Sequence, residues 1–248
     1  MPRHDGRAED QLRALTITPH WLKHAHGSAL ITMGDTRVLC AVTVEDRVPA
    51  HLKDTGQGWV TGEYAMLPAS GKERTPRESM RGRPSGRTME IQRLIGRALR
   101  SVVNRTALGQ RTLWVDCDVL QADGGTRTAS ITGAYVALAL AVAKLREKRA
   151  ITAPVLTGML AAVSVGMVLG RPCLDLDYVE DAAAEVDMNV ARIDDGRFVE
   201  VQGTAESEPF RRDRLDALID LANLGIDKLH EAQREALGDV LSRITVAR

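Results

Sequence analysis

The sequence predicts an α/β fold of α+β character, built as two pseudo-duplicated halves in which mixed sheets pack against helices. Three observations carry that expectation. Runs of period-two alternation precede runs of three- and four-residue apolar spacing, and this order occurs once in residues 1–150 and again in 151–248. Each half holds a tight hairpin signal, Gly34-Asp35-Thr36 in the first and Asp194-Asp195-Gly196 in the second. At 248 residues the chain can bury a full core without disulfide staples. No fixed-period repeat accompanies the duplication.

Residues 12–18 alternate apolar and polar side chains and start the first strand; 25–33 and 37–44 form a hairpin across Gly34; 58–67 supply a fourth strand. Residues 68–84, with Gly71, Pro76, Gly82 and several arginines, have no apolar period and form a long loop of the kind kept for function. Ser85 caps a helix on which Ile91, Leu94, Ile95, Leu99, Val102 and Val103 recur at helical spacing to about Asn104. A strand at 112–120 leads into Gly124-Gly125, and 129–148 is a helix apolar almost all round, as befits one at the centre. In the second half, strands at 160–168 and 173–178 join near Gly170. A hairpin at 186–193 and 197–203 follows, and two amphipathic helices, about 209–224 and 226–241, close the chain.

The chain carries 33 basic and 33 acidic residues, so its global charge draws in no polyanion and any nucleic-acid binding rests on a local patch. That charge is segregated. Residues 70–105 hold ten Lys/Arg against three Asp/Glu, whereas 175–187 hold six acidic residues and no basic one. The longest uncharged apolar run, 133–143, is well short of the roughly 20 residues of a membrane helix, so no membrane span is expected. Cys40, Cys117 and Cys173 form no metal or redox spacing and read as buried thiols in a reducing compartment. The charged start, Met1-Pro2-Arg3-His4, lacks the apolar segment of a secretory signal, and cytoplasmic residence is expected.

Three stretches carry chemistry. Arg87 falls in the first turn of its helix and Arg127 just ahead of the next, where a cation is disfavoured by up to about 1 kcal/mol, so an anion is expected to compensate them. The run from Ala122 to Thr128 offers free backbone N–H groups around Gly125, the Thr126 hydroxyl and a guanidinium fork, a set suited to phosphate. The same glycines also serve as a plain strand-to-helix turn with Thr126 or Thr128 as cap. In Glu185-Val186-Asp187-Met188-Asn189-Val190, strand alternation sends Glu185, Asp187 and Asn189 to one face as oxygen ligands. Asp181 can fold back beside Asp187, and one or two carboxylates with phosphate oxygens are how magnesium is held; a solvated acidic edge is the alternative. Arg74, Arg77, Arg81 and Arg83 are spaced to follow a nucleic-acid backbone, and with no aromatic among them base stacking is not expected there. Gly71-Lys72 lacks the rest of a P-loop, and His24 and His26 lack a third metal ligand. No nucleophile elbow is present, so covalent catalysis is not indicated.

Ser85-Gly86-Arg87-Thr88-Met89-Glu90-Ile91-Gln92-Arg93, Gln121-Ala122-Asp123-Gly124-Gly125-Thr126-Arg127-Thr128, Leu174-Asp175-Leu176-Asp177-Tyr178, Asp187-Met188-Asn189 and Val199-Glu200-Val201-Gln202-Gly203-Thr204 closely resemble the ribonuclease PH family. The likeness runs from about Arg3 to the last helix. It implies the family's fold, a βαβ-type unit present twice. It implies phosphorolytic trimming of the 3′ end of precursor tRNA, with inorganic phosphate as co-substrate and nucleoside diphosphates released. It also implies a homohexameric ring, a trimer of dimers. Position by position, the resemblance implies phosphate binding by Arg87, Gly125, Thr126 and Arg127, and magnesium (or manganese) at Asp181 and Asp187. Those two aspartates and Arg127 are then the catalytic residues, and Arg74, Arg77 and Arg81 contact tRNA. Two rivals stay open at this point. A hydrolytic metal-dependent nuclease needs two carboxylates and a metal but no phosphate seat. A non-catalytic RNA-binding ring subunit implies loss of Arg87, Arg127, Asp181 or Asp187, and all four are present.

Overall fold

The computed structural model describes residues 3–206 and 208–244. Leu15–Pro19 (β1), Gly27–Met33 (β2) and Thr36–Glu45 (β3) form an antiparallel meander. The β2–β3 turn needs Gly34, whose φ of 57° is left-handed. Burial alternates along β3, so Val38, Cys40 and Val42 enter the core and their neighbours face outward. Trp59–Met66 (β4) and Thr112–Gln121 (β5) pair in parallel, an arrangement that requires a crossover. Gly86–Arg100 (α1) and the short Arg105–Leu108 (α2) supply it, making a βαβ unit and a sheet of order β1-β2-β3-β5-β4. Ser85 caps α1 as expected, its Oγ accepting from the Thr88 N–H at 3.2 Å. Asn104, expected near that helix's end, caps α2 instead.

Leu160–Val168 (β6), Arg171–Leu174 (β7), Val186–Ile193 (β8) and Phe198–Ala205 (β9) form the second sheet, ordered β7-β6-β8-β9 and antiparallel throughout. Mixed pairing therefore resides in the first sheet. Thr126–Glu147 (α3) runs between the two sheets, packed on β2, β3 and β5 on one side and β6 on the other. It is buried continuously from Thr128 to Ala143, which is why its sequence is apolar all round. A mean hydropathy of 1.5 over its apolar window would suit a membrane, but 94% of that window is enclosed by the fold. The helix begins three residues ahead of the expected start, directly after Gly125, so Arg127 lies inside its first turn.

Two further elements differ from expectation. The strand expected over 173–178 stops at Leu174, because Asp177 caps a short helix, Tyr178–Ala183 (α4). Asp177 Oδ1 accepts from the N–H groups of Val179 and Glu180, and the Glu180 carboxylate reaches back to the Asp177 N–H. The two C-terminal helices are one long helix, Arg212–Leu237 (α5), followed by Val240–Ile244 (α6). Gly225 does not interrupt α5. A Cβ there would stand 2.6 Å from Leu174 Cδ1, so the glycine lets α5 close on β7.

Candidate active site

The glycine loop sits where both halves meet. Gly124 and Gly125 have φ of 70° and 61°, and a Cβ on Gly124 would lie 2.5 Å from the Leu176 carbonyl oxygen, so the loop presses on the backbone ahead of α4. Gly125 occupies the N-cap position of α3, and no side chain among the described residues satisfies that helix end. Neither threonine does so. Thr128 Oγ1 donates to the Gly125 carbonyl at 2.9 Å, and the Thr126 hydroxyl shares a hydrogen bond with Tyr64 Oη at 2.9 Å. The plain capped turn is thereby set aside, and a 22-residue helix presents open N–H groups and the positive end of its dipole to the cleft.

That cleft, a hollow of about 510 Å³, is lined by Gly125, Thr126, Arg87, Arg127, Asp181 and Asp187, among others. Arg87 comes from the first turn of α1, Arg127 from α3, Asp181 from α4 and Asp187 from β8. The fold thus brings together every residue expected to hold phosphate and metal. Arg127 Nη1 donates to Gln202 Oε1 at 2.9 Å and stands 3.8 Å from Glu90, so part of its expected compensation comes from within the chain. Arg87 forms no ion pair among the described residues. Burial raises the Asp181 carboxyl, against the pull of Arg87 and Arg127. Burial and then the neighbouring Asp181 push Asp187 up to about 6. Asp187 Oδ1 is buried with no hydrogen-bond partner among the described residues, while Asn189 Nδ2 approaches Oδ2 at 3.5 Å.

The acidic run read as one patch is divided in two. Asp175, Asp177 and Glu180 are bound by the N-terminal segment: Arg13 holds Asp175, His4 Nε2 lies 2.6 Å from Asp177 Oδ2, and Arg3 Nε donates to Glu180 Oε1 at 2.6 Å. Glu185 accepts from the Gly170 N–H at 2.8 Å. Only Asp181 and Asp187 of the six line the cleft. Arg74 and Arg77 are exposed on the loop whose Gly71, Lys72 and Glu73 form the cleft rim, and burial raises the Asp118 carboxyl against the weaker pull of the nearby Arg77. The side chain of Arg81 lies outside the described residues.

Sequence reasoning missed Tyr64, Arg13, Ser164 and Tyr178. Only the fold brings them to the cleft or its loop, and none of the four carries a local signal of that placement.

Residues 11–144 match the family model described as 3′ exoribonuclease family, domain 1, and residues 158–223 match domain 2 of the same family. The chain belongs to the 3′ exoribonuclease family. Of its two family domains, the first supplies Arg87 and the glycine loop and the second supplies Asp181 and Asp187, so the cleft is a seam between them. Similar family members include ribonuclease PH of Moorella thermoacetica, 59% identical over 98% of both chains. Ribonuclease PH of a Geobacillus species is 53% identical over 99% of this chain and 97% of its own. Among solved structures, rice Rrp46 has a TM-score of 0.76 at 21% identity, covering 95% of this chain and 100% of its own. The Archaeoglobus fulgidus exosome with RNA bound to the active site has a TM-score of 0.76 at 22% identity, covering 93% and 92%. At such identities these two share the fold.

Proposed function

We propose that this protein is a phosphorolytic 3′-to-5′ exoribonuclease that trims precursor tRNA, a nucleotidyltransferase passing the terminal nucleotide to inorganic phosphate. One observation carries the reading: the open N-terminus of α3, flanked by Arg87 and Arg127, faces Asp181 and Asp187 across one cleft. Water as nucleophile needs no seat for a second anion, whereas phosphate does.

In this reading the N–H groups around Gly125 and Thr126 and the two guanidiniums hold and orient inorganic phosphate. Its oxygen attacks the last phosphodiester in line; the new P–O bond forms as the bond to the penultimate 3′ oxygen breaks, and a nucleoside diphosphate leaves. Proximity and fixed charge supply most of the acceleration. Asp181 and Asp187 are the residues that would hold magnesium or manganese, and the orphaned, buried Asp187 Oδ1 suits a cation ligand. The bound metal supplies charge neutralisation at the reacting phosphoryl group and leaving oxygen. Tyr64 keeps the Thr126 side chain in place, and Arg74, Arg77 and Arg81 track the RNA backbone. We place the enzyme in the cytoplasm as a homohexamer, a trimer of dimers; its three cysteines are buried and free, as suits a reducing compartment.

The deciding experiment incubates the protein and magnesium with 3′-extended tRNA, with and without orthophosphate. Phosphate-dependent release of nucleoside diphosphates is expected; phosphate-independent release of monophosphates would establish hydrolysis instead.

A further inference from the structure

The chain is poor in aromatic residues, with three Trp, three Tyr and two Phe in all. Tyr178 is the aromatic side chain that lines the 510 Å³ cleft, and it is 51% exposed there. Its position is built rather than incidental. Tyr178 opens α4 directly after the Asp177 cap, and its N–H donates to Asp123 Oδ1 at 3.3 Å. Gly124 packs against the backbone of Leu176 and Asp177 just before it. The backbone that bears the ring therefore stands at a fixed offset from the phosphate loop. Lys72 Nζ sits over the ring, 5.1 Å from its centroid, so the π-face that a flat partner would use is held by a cation in the resting protein. A lysine on its flexible stem gives way to such a partner at small cost.

An enzyme that removes successive nucleotides has to accept every base, and stacking on an aromatic face is tolerant of sequence because every base has a π-surface. We propose that Tyr178 is the stacking platform for the base of the 3′-terminal nucleotide, and that it sets the last phosphodiester between the arginines and the carboxylates. The inference rests on the reading that this cleft takes an RNA 3′ end.

The test compares wild type, Tyr178→Leu and Tyr178→Phe in two assays. In phosphorolysis, the leucine variant is expected to raise KM for RNA roughly tenfold with KM for phosphate unchanged, and the phenylalanine variant to restore it. In phosphate-free binding, an RNA with 2-aminopurine as its 3′-terminal base is expected to lose fluorescence on wild type and Tyr178→Phe, and to keep it on Tyr178→Leu. Placing an abasic 3′-terminal nucleotide on the RNA removes the difference between wild type and Tyr178→Leu. Unchanged RNA KM and unchanged quenching in Tyr178→Leu overturn the proposal, as does an equal rise in both KM values, which marks a purely structural ring. Wild type that releases no diphosphates with phosphate present overturns the phosphorolytic reading, and the binding assay then still judges the stacking.

Discussion

Arg13 and Asp175, 162 positions apart, form a buried clamp in which the Arg13 N–H and Nε donate to Asp175 Oδ2 at 2.8 and 3.0 Å and Nη2 donates to Oδ1 at 2.6 Å. Nη1 of the same guanidinium donates to the Asp123 carbonyl, and a Cβ on Gly125 would lie 3.1 Å from Nη2. One side chain thus fastens the acidic segment of the second half to the phosphate loop of the first. Burial works against the arginine's charge, and Asp175 outweighs it. Arg13→Leu strips Asp175 of its guanidinium partner and leaves it the backbone N–H of residue 13 and Arg7 Nη1 at 3.8 Å, so the loss falls below the roughly 3–5 kcal/mol of a buried charge left with no partner. Urea unfolding measures it, and KM for phosphate rises in parallel as the loop loosens. A variant as stable as wild type would mean that the clamp does not hold the loop.

Arg127 combines a guanidinium fork with a place in the first turn of α3, so its removal takes both charge and geometry from the phosphate seat. Charge-assisted hydrogen bonds contribute about 1.5–3 kcal/mol each, which sets an expected loss of roughly 10- to 100-fold in kcat/KM for phosphate in Arg127→Ala. Arg127→Lys keeps the charge without the fork and falls between. Steady-state phosphorolysis at varied orthophosphate is the measurement, and a variant with unchanged KM for phosphate would remove Arg127 from the site.

What was legible in the sequence was what local chemistry dictates. Ser85 and the period of Ile91, Leu94, Ile95 and Leu99 announced α1, and Gly124-Gly125 before an apolar helix announced the loop. Asp187 and Asn189 fell on the expected strand face. What was not legible depends on partners distant in sequence. Gly225 reads as a break until Leu174 is seen against it, and Asp175 reads as one more member of an acidic run until Arg13 arrives from the N-terminal segment. Tyr178 carried no sign of its setting, because an aromatic beside a capping aspartate becomes part of a cleft only when α4 folds against the glycine loop.

Tyr64 gives a cleaner test of positioning than any charged residue. Burial raises its hydroxyl's pKa, so it stays protonated, and its contact in the cleft wall is the Thr126 hydroxyl at 2.9 Å. Tyr64→Phe deletes one neutral hydrogen bond and keeps the ring in the core, at a cost of about 0.5–1.5 kcal/mol. Thermal unfolding registers that loss. Activity falls with it, because the Thr126 side chain then turns freely at the mouth of the phosphate seat. Full activity in a variant destabilised by this amount would show that the backbone alone fixes the loop.

Asp187 ties stability, metal and pH together. Its carboxyl is pushed up to about 6 in the fold against 3.8 for the ordinary side chain, by burial first and Asp181 second. The folded protein therefore holds this proton more tightly than the unfolded chain does. In metal-free protein the resulting stabilisation is complete below about pH 4 and lost as pH rises through about 6. At pH 8 the buried negative charge is a cost on the order of 1–2 kcal/mol after allowance for its partial exposure. Asp187→Asn removes that cost. Its melting temperature without metal is expected to exceed that of wild type by about 2–8 °C at pH 8, with the gap closing towards pH 4. Magnesium reverses the order at pH 8, because wild type gains from binding a cation that the variant has lost a carboxylate to hold. Since that carboxylate must shed its proton to bind, the gain fades as pH falls below about 6. Equal melting temperatures for the two metal-free proteins at pH 8 would show that Asp187 is already solvated, and its assignment as a buried metal ligand would fall with them.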